Sequence, residues 1–296
     1  MRGLLFNPQD SDSFQRKLSN TGDPYVELPF EAEAALGYSG NALAGIDNVT
    51  LGWPGSGGPE LQKAVVYGFA TKETMLGLLG LTSRPVNITD YTDSYPSPLG
   101  ALQDAGLVRC AYWAYTAGMR YHKPQVHGSL TFGGYDALRG NMTNALTVPL
   151  GVDTERDVLL KLTGIEISGS TVPVPVAGNT IVYVDSTVPY IWLPRDACEA
   201  FETAFGLQWN ETVGMYLINE THHQELVSLN RVVTFSLQGQ GTSAAINVAL
   251  PYSAFDLEAS YPLAAIEGNE TVKYFPLMRA ENSSQYVFGR TFLQET

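Results

Sequence analysis

One carboxylate in this chain stands where chemistry could be built. Residues 184–194 read Val-Asp-Ser-Thr-Val-Pro-Tyr-Ile-Trp-Leu-Pro, which sets Asp185 at the end of an apolar strand, on a turn of small hydroxylated residues. Near the other end of the chain, residues 286–293 read Tyr-Val-Phe-Gly-Arg-Thr-Phe-Leu. An apolar pair followed by Gly lets two stretches of backbone approach closely. A carboxylate on such a turn becomes an acid–base catalyst when a second one lies close enough to share a proton with it. Like charges at that range cannot both ionise, so the pair can hold and activate one water. A single carboxylate cannot both activate water and protonate a carbonyl oxygen.

Other chemistries find less support. His222 and His223 are adjacent, so they point to different faces, and no Cys, His or carboxylate cluster at ligand spacing joins them. They read as a solvated helix start. His122 and His127 flank a loop. Gly52-Trp-Pro-Gly-Ser-Gly-Gly58 is glycine-rich but contains Pro and opens no helix, so it reads as a turn and not a phosphate cradle. There is no Gly-x-Ser-x-Gly nucleophile elbow, and no carboxylate spacing singles out a glycosidase pair. No metal or cofactor is expected.

The elements that must position Asp185 are short. The chain has 29 Gly and 17 Pro among 296 residues, which favours many strands and turns over long helices. The clearest strands are 181–184, 190–193, 232–237 and 244–250, with an alternating run at 158–167. Helical signals fall at 98–106, at 195–206 between Pro194 and Gly206, and near 221–227. Apolar and charged fractions of 44% and 16% suit a packed globular protein. A net charge of −13 argues against nucleic acid as a partner, and no apolar run is long enough to span a membrane. Cys110 and Cys198 allow at most one internal disulfide. Seven of the fourteen Asn residues (Asn48, Asn87, Asn141, Asn210, Asn219, Asn269 and Asn282) open Asn-x-Ser/Thr sequons, a density that points to a secretory route.

The Asp185 and Gly289 segments together resemble the second half of a pepsin-like aspartic peptidase of the A1 family. The resemblance extends to Gly40–Gly52, to Met75–Leu81 as an apolar-apolar-Gly strand, and to Leu130–Asp136. Pro251–Leu257 and Tyr274–Arg279 look closest to a fungal subgroup with degenerate Asp motifs. The resemblance implies an all-β, bilobal fold with a few short helices. Its N-terminal lobe is expected at 1–150 and its C-terminal lobe at 151–296, the best boundary lying near 147–157.

The same resemblance implies an aspartic endopeptidase that hydrolyses extended polypeptides at acid pH, secreted or at the cell surface and monomeric. Peptide would lie in a cleft between the lobes, beneath a hairpin flap for which Tyr38 is the candidate. The family's loop is Asp-Thr/Ser-Gly-Thr/Ser, with a hydroxyl holding the carboxylate. Here Asp185 and Ser186 fit, Thr187 stands in place of Gly, and Val188 in place of the second hydroxyl. That leaves a half-site expected to have lost one hydrogen bond. No Asp-Thr-Gly or Asp-Ser-Gly occurs in the chain. By family order the first Asp loop belongs upstream of Met1 and a last strand pair beyond Thr296, so the chain reads as truncated at both ends. Activity is therefore expected to be absent or strongly impaired. The alternative is a non-catalytic pseudopeptidase that binds a protein or glycan.

Overall fold

The structure is a computed structural model. It describes all residues except 1–5, 20, 29–30, 54, 70–76, 89–91, 141–144, 154–155, 242 and 261–270. The chain divides into two compact units, Met1–Tyr115 with Leu130–Asp136, and Thr116–Ser129 with Ala137–Thr296.

The first unit is organised on one long strand. β1 (Gln15–Arg16), β2 (Tyr25–Glu27) and β4 (Glu60–Gly68) all pair antiparallel with β3 (Asn41–Thr50). Short helix α1 (Glu31–Ala34) lies in the connection from β2 to β3. The β3–β4 ladder slips between Asp47 and Val49, where Lys63 takes a positive φ of 53°. The Lys63 N–H freed by this bulge donates to Asn48 Oδ1 at 3.2 Å. Strands β5 (Val86–Asn87) and β6 (Ser94–Tyr95) form a small pair, followed by helix α2 (Pro98–Asp104). Pro98 opens α2, and Ser97 Oγ accepts from Gly100 N at 3.1 Å. The helix buries Leu99 and Leu102, the latter packing with Leu61 and Ala64 of β4. Strands β7 (Trp113–Met119) and β8 (Val126–Phe132) pair with each other, and the division between the units falls within both of them.

Of the expected strand at 75–81, Met75 and Leu76 lie outside the described residues. Gly77–Leu81 forms no strand, and Leu78 and Leu79 are exposed. The apolar pattern alone does not make a strand there, because no strand among the described residues pairs with it.

The second unit holds a seven-stranded sheet. Its order is β15-β14-β9-β10-β19-β11-β18, comprising Ala245–Pro251, Val232–Gly239, Leu159–Ile167, Thr180–Val184, Val287–Phe288, Ile191–Pro194 and Leu277–Ala280. A second sheet, β12-β13-β17-β16 (Trp209–Asn210, Met215–Ile218, Thr271–Phe275 and Leu257–Ser260), adjoins it in sequence through Pro276. Strand β14 alternates strictly between half-buried and buried residues, which places Val233, Phe235 and Leu237 in the core.

Helix α3 (Arg195–Phe205) follows the pattern read from its sequence. Ala197, Phe201 and Phe205 are buried, and Gly206 closes the helix at φ 65°. Helix α4 (Glu220–Leu229) runs longer than expected because Asn219 caps its start and Asn230 its end. Helix α5 is a single turn, Tyr252–Phe255. Phe201, Phe205, Phe255 and Phe275 gather into one aromatic cluster, with the Phe255 and Phe275 rings stacked at 4.8 Å.

Candidate active site

Strand β10 runs parallel to β19, then the chain turns through residues 185–190 and returns as β11, antiparallel to the other edge of β19. The turn that carries Asp185 therefore wraps around the short segment Val287–Gly289. Asp185 N donates to Phe288 O at 3.2 Å, Gly289 N to Tyr190 O at 2.9 Å, and Arg290 N to Val188 O at 2.9 Å. A Cβ placed on Gly289 would lie 2.4 Å from both the Val188 and the Tyr190 carbonyl oxygens. Only Gly fits this crossing, for a steric reason and with no demand for an unusual φ.

The Asp185 carboxylate is half-buried and held from its own turn. Thr187 N donates to Oδ1 at 2.8 Å, and the Thr187 hydroxyl donates to Oδ2 at 2.5 Å. This corrects the expectation that replacing the family's Gly and second hydroxyl would cost the carboxylate a hydrogen bond. Thr187 supplies the hydroxyl one position earlier, while Val188 turns inward and is buried. Ser186 contributes its carbonyl, which with that of Thr187 accepts from Arg290 Nη1 at 2.7 and 2.8 Å. Thr291 Oγ1 closes the far side of the turn on Pro189 O at 2.7 Å. Behind it, Phe288 stacks on Phe292 at 4.4 Å and meets Phe235 edge-on. The arrangement presents one oriented carboxylate on a turn held by backbone and side-chain hydrogen bonds.

A second carboxylate held by hydroxyls went unnoticed in the sequence. Asp47, on β3, accepts from Ser11 Oγ on both oxygens (2.9 and 2.8 Å), from Ser13 Oγ, and from Asn48 N at 2.8 Å. At 4% exposure it is closed to solvent, so it pins the Ser11–Ser13 segment onto β3 and does not face substrate. The signal that could have found it is the Ser-x-Ser spacing opposite an Asp in a mid-strand position.

Tyr38 sits in the long connection between the paired strands β2 and β3, after α1, and is half-buried. The adjacent histidines are not a solvated helix start. His222 meets Phe205 O at 2.7 Å, and His223 meets Asp256 Oδ2 at 2.8 Å, so they tie α4 to the ends of α3 and α5. Both cysteines are free. Cys110 is half-buried, and Cys198 is fully buried with its thiol pushed up to about 12, first by burial and then by Glu202. Of the sequons, Asn141 and Asn269 lie outside the described residues, Asn48, Asn87, Asn219 and Asn282 are exposed, and Asn210 is half-buried. Among the described residues no group of three or more His, Cys, Asp or Glu could hold a metal, and no helix is long and apolar enough to cross a membrane.

A mostly-β chain with an Asp turn looped around an apolar-apolar-Gly strand defines the aspartic peptidase class of fold. The sequence model of the eukaryotic aspartyl protease family matches residues 32–296, and the chain belongs to that family. Among solved structures, the aspartic proteinase from Irpex lacteus aligns with a TM-score of 0.55 at 18% identity, over 86% of this chain and 73% of that one, which shows the pepsin-like fold. No curated protein gives a match.

Proposed function

We propose that this chain receives extended polypeptide on the face of the second unit that carries Asp185, and that its aspartic endopeptidase activity is strongly impaired. The observation that carries the reading is the asymmetry of the site. Asp185 is oriented by Thr187 on a turn locked at Gly289, yet no Asp-Thr-Gly or Asp-Ser-Gly occurs in the 296 residues to complete the pair. Without a partner sharing its proton, a lone carboxylate lacks one of the two roles that peptide hydrolysis requires. This reading takes residues 1–150 and 151–296 as the two lobes of a monomer that needs no cofactor, carries Tyr38 as a flap residue, and follows a secretory route. The sequon density supports that route.

The test is peptide cleavage at acid pH by wild type and Asp185→Asn, alongside calorimetric binding of pepstatin, a peptide-like inhibitor of the class. Binding with cleavage near background in both proteins is the expected result. Robust pepstatin-sensitive cleavage that vanishes in Asp185→Asn would show a complete dyad and overturn the impairment. A second reading, a pseudopeptidase whose partner is a folded protein or glycan, draws on Thr187 and Val188, which depart from the catalytic motif while the turn itself stays rigid. Absence of pepstatin binding in a folded protein favours it.

A further inference from the structure

Three exposed sequon asparagines, Asn48, Asn219 and Asn282, share an orientation that their sequence motif does not require. Asn219 Oδ1 caps α4 by accepting from His222 N at 2.9 Å. Asn282 Oδ1 caps a single helical turn, accepting from Ser284 N at 3.0 Å and from the hydroxyl of Ser284, the sequon's own third residue, at 2.6 Å. Asn48 Oδ1 receives the bulged Lys63 N–H at 3.2 Å. In each the oxygen is turned to the chain's own backbone, and no described residue bonds Nδ2. Asn7, which opens no sequon, provides the contrast. Its Oδ1 accepts from Gln9 N and its Nδ2 is also engaged, donating to Asp10 at 2.9 Å.

We infer that Asn48, Asn219 and Asn282 carry N-linked glycans, each on an amide whose oxygen goes on serving as a backbone cap. The inference rests on the secretory reading above and is independent of the peptidase reading. In the transfer, a bond forms between Asn Nδ2 and C1 of the first sugar. The C1–O bond of a lipid-diphosphate oligosaccharide donor breaks, its electron pair leaves on the diphosphate oxygen, and the proton lost by Nδ2 passes to a base of the transferase. The carbonyl oxygen takes no part as a leaving group and keeps its lone pairs for the cap. All three side chains are exposed, so a glycan projects into solvent without displacing the core. Asn210 differs. Its Oδ1 also accepts from backbone, from Thr212 N and Val213 N, so the cap does not set it apart; its burial does, because it is half-buried inside the tight β12–β13 turn, where a glycan would have to displace its surroundings. It is expected to stay bare.

The experiment expresses the full chain behind a secretion leader in a eukaryotic host. The luminal or secreted protein is digested with peptide N-glycosidase in heavy-oxygen water and its peptides are weighed. Heavy Asp at positions 48, 219 and 282, with unlabelled Asn at 210, is expected. Unmodified Asn at those three positions, or labelling of 210 to the same extent, overturns the assignment. Because the leader forces entry into the pathway, this outcome is separate from the protein's native location, which fractionation of the source cell tests on its own. Thr221→Ala addresses the cap. It removes the sequon while leaving Asn219 Oδ1 in place, so it should erase the 219 label without changing the unfolding midpoint of protein made in a host that does not glycosylate, where Asn219 stays an amide. Asn219→Ala should erase the label and lower the midpoint. Equal midpoints for the two variants would refute the dual role.

Discussion

Thr187 decides how the Asp185 turn is held. Its hydroxyl reaches Oδ2 at 2.5 Å and its amide reaches Oδ1 at 2.8 Å, so one residue meets both carboxylate oxygens. A hydrogen bond to a charged group contributes about 1.5–3 kcal/mol. Thr187→Ala should therefore lower the unfolding free energy by about 1–2 kcal/mol in a urea titration near neutral pH, and Thr187→Ser should recover most of it. Equal losses in the two variants would mean that the methyl group matters and the hydroxyl does not. Gly289→Ala belongs to a harsher class, since its Cβ meets two backbone oxygens at 2.4 Å and neither can move without opening the β10–β19–β11 crossing. A loss above about 3 kcal/mol is expected there. The Thr187 contact was not legible in the sequence. Read residue by residue, Thr in place of Gly and Val in place of a hydroxyl look like two losses. Only the path of the turn shows that the hydroxyl has moved one position along.

At the scale of elements, the sequence was legible wherever punctuation and period agree. Pro194, the Ala197–Phe201–Phe205 spacing and Gly206 mark α3 to within a residue, and the alternation of 232–237 marks β14. It failed where a neighbour decides. Gly77–Leu81 is apolar enough for a buried strand, but no strand among the described residues pairs with it, and the histidine pair gained its roles from α3 and α5 and not from its own helix. The junction of α3 and α4 shows how tightly such contacts are set. Gly206 ends α3 in the left-handed region, and a Cβ there would come within 3.3 Å of His222 Nε2, the atom that bonds Phe205 O. Gly206→Ala thus meets both a conformational cost and a displaced imidazole. The two together should lower stability by about 1–2 kcal/mol in thermal or urea unfolding. His222→Ala in the same background should add little if the two effects share this contact.

At the scale of the whole molecule, the buried titratable groups point one way. Cys198 is pushed up to about 12, and the phenols of Tyr216 and Tyr252 are also raised. Burial is the first cause for all three, followed by Glu202 for Cys198 and Tyr216 and by Asp256 for Tyr252. Lys17 is raised as well, by its bonds to Tyr95 and Asp93. Each group keeps its proton in the folded chain at a pH where the unfolded chain has released it. The stabilisation is therefore complete below the unfolded values, about 8.5 for a thiol and about 10 for a phenol, and is lost as pH rises beyond them. Burial pushes Glu295 up too, so its share is present only on the acid side of the carboxylate range. The net charge of −13 adds self-repulsion that eases as carboxylates protonate. The urea midpoint should thus hold between about pH 6 and about pH 8 and then fall. Every fully titrating group steepens that fall by about 1.4 kcal/mol per pH unit. Cys198→Ala separates the contributions. It removes the lowest-lying of the three buried acids, so its alkaline decline should begin about 1.5 pH units later than that of the wild type, near the phenol value in place of the thiol value. A midpoint flat to about pH 11, or a decline unchanged by the substitution, would show that these groups reach solvent before the fold is lost.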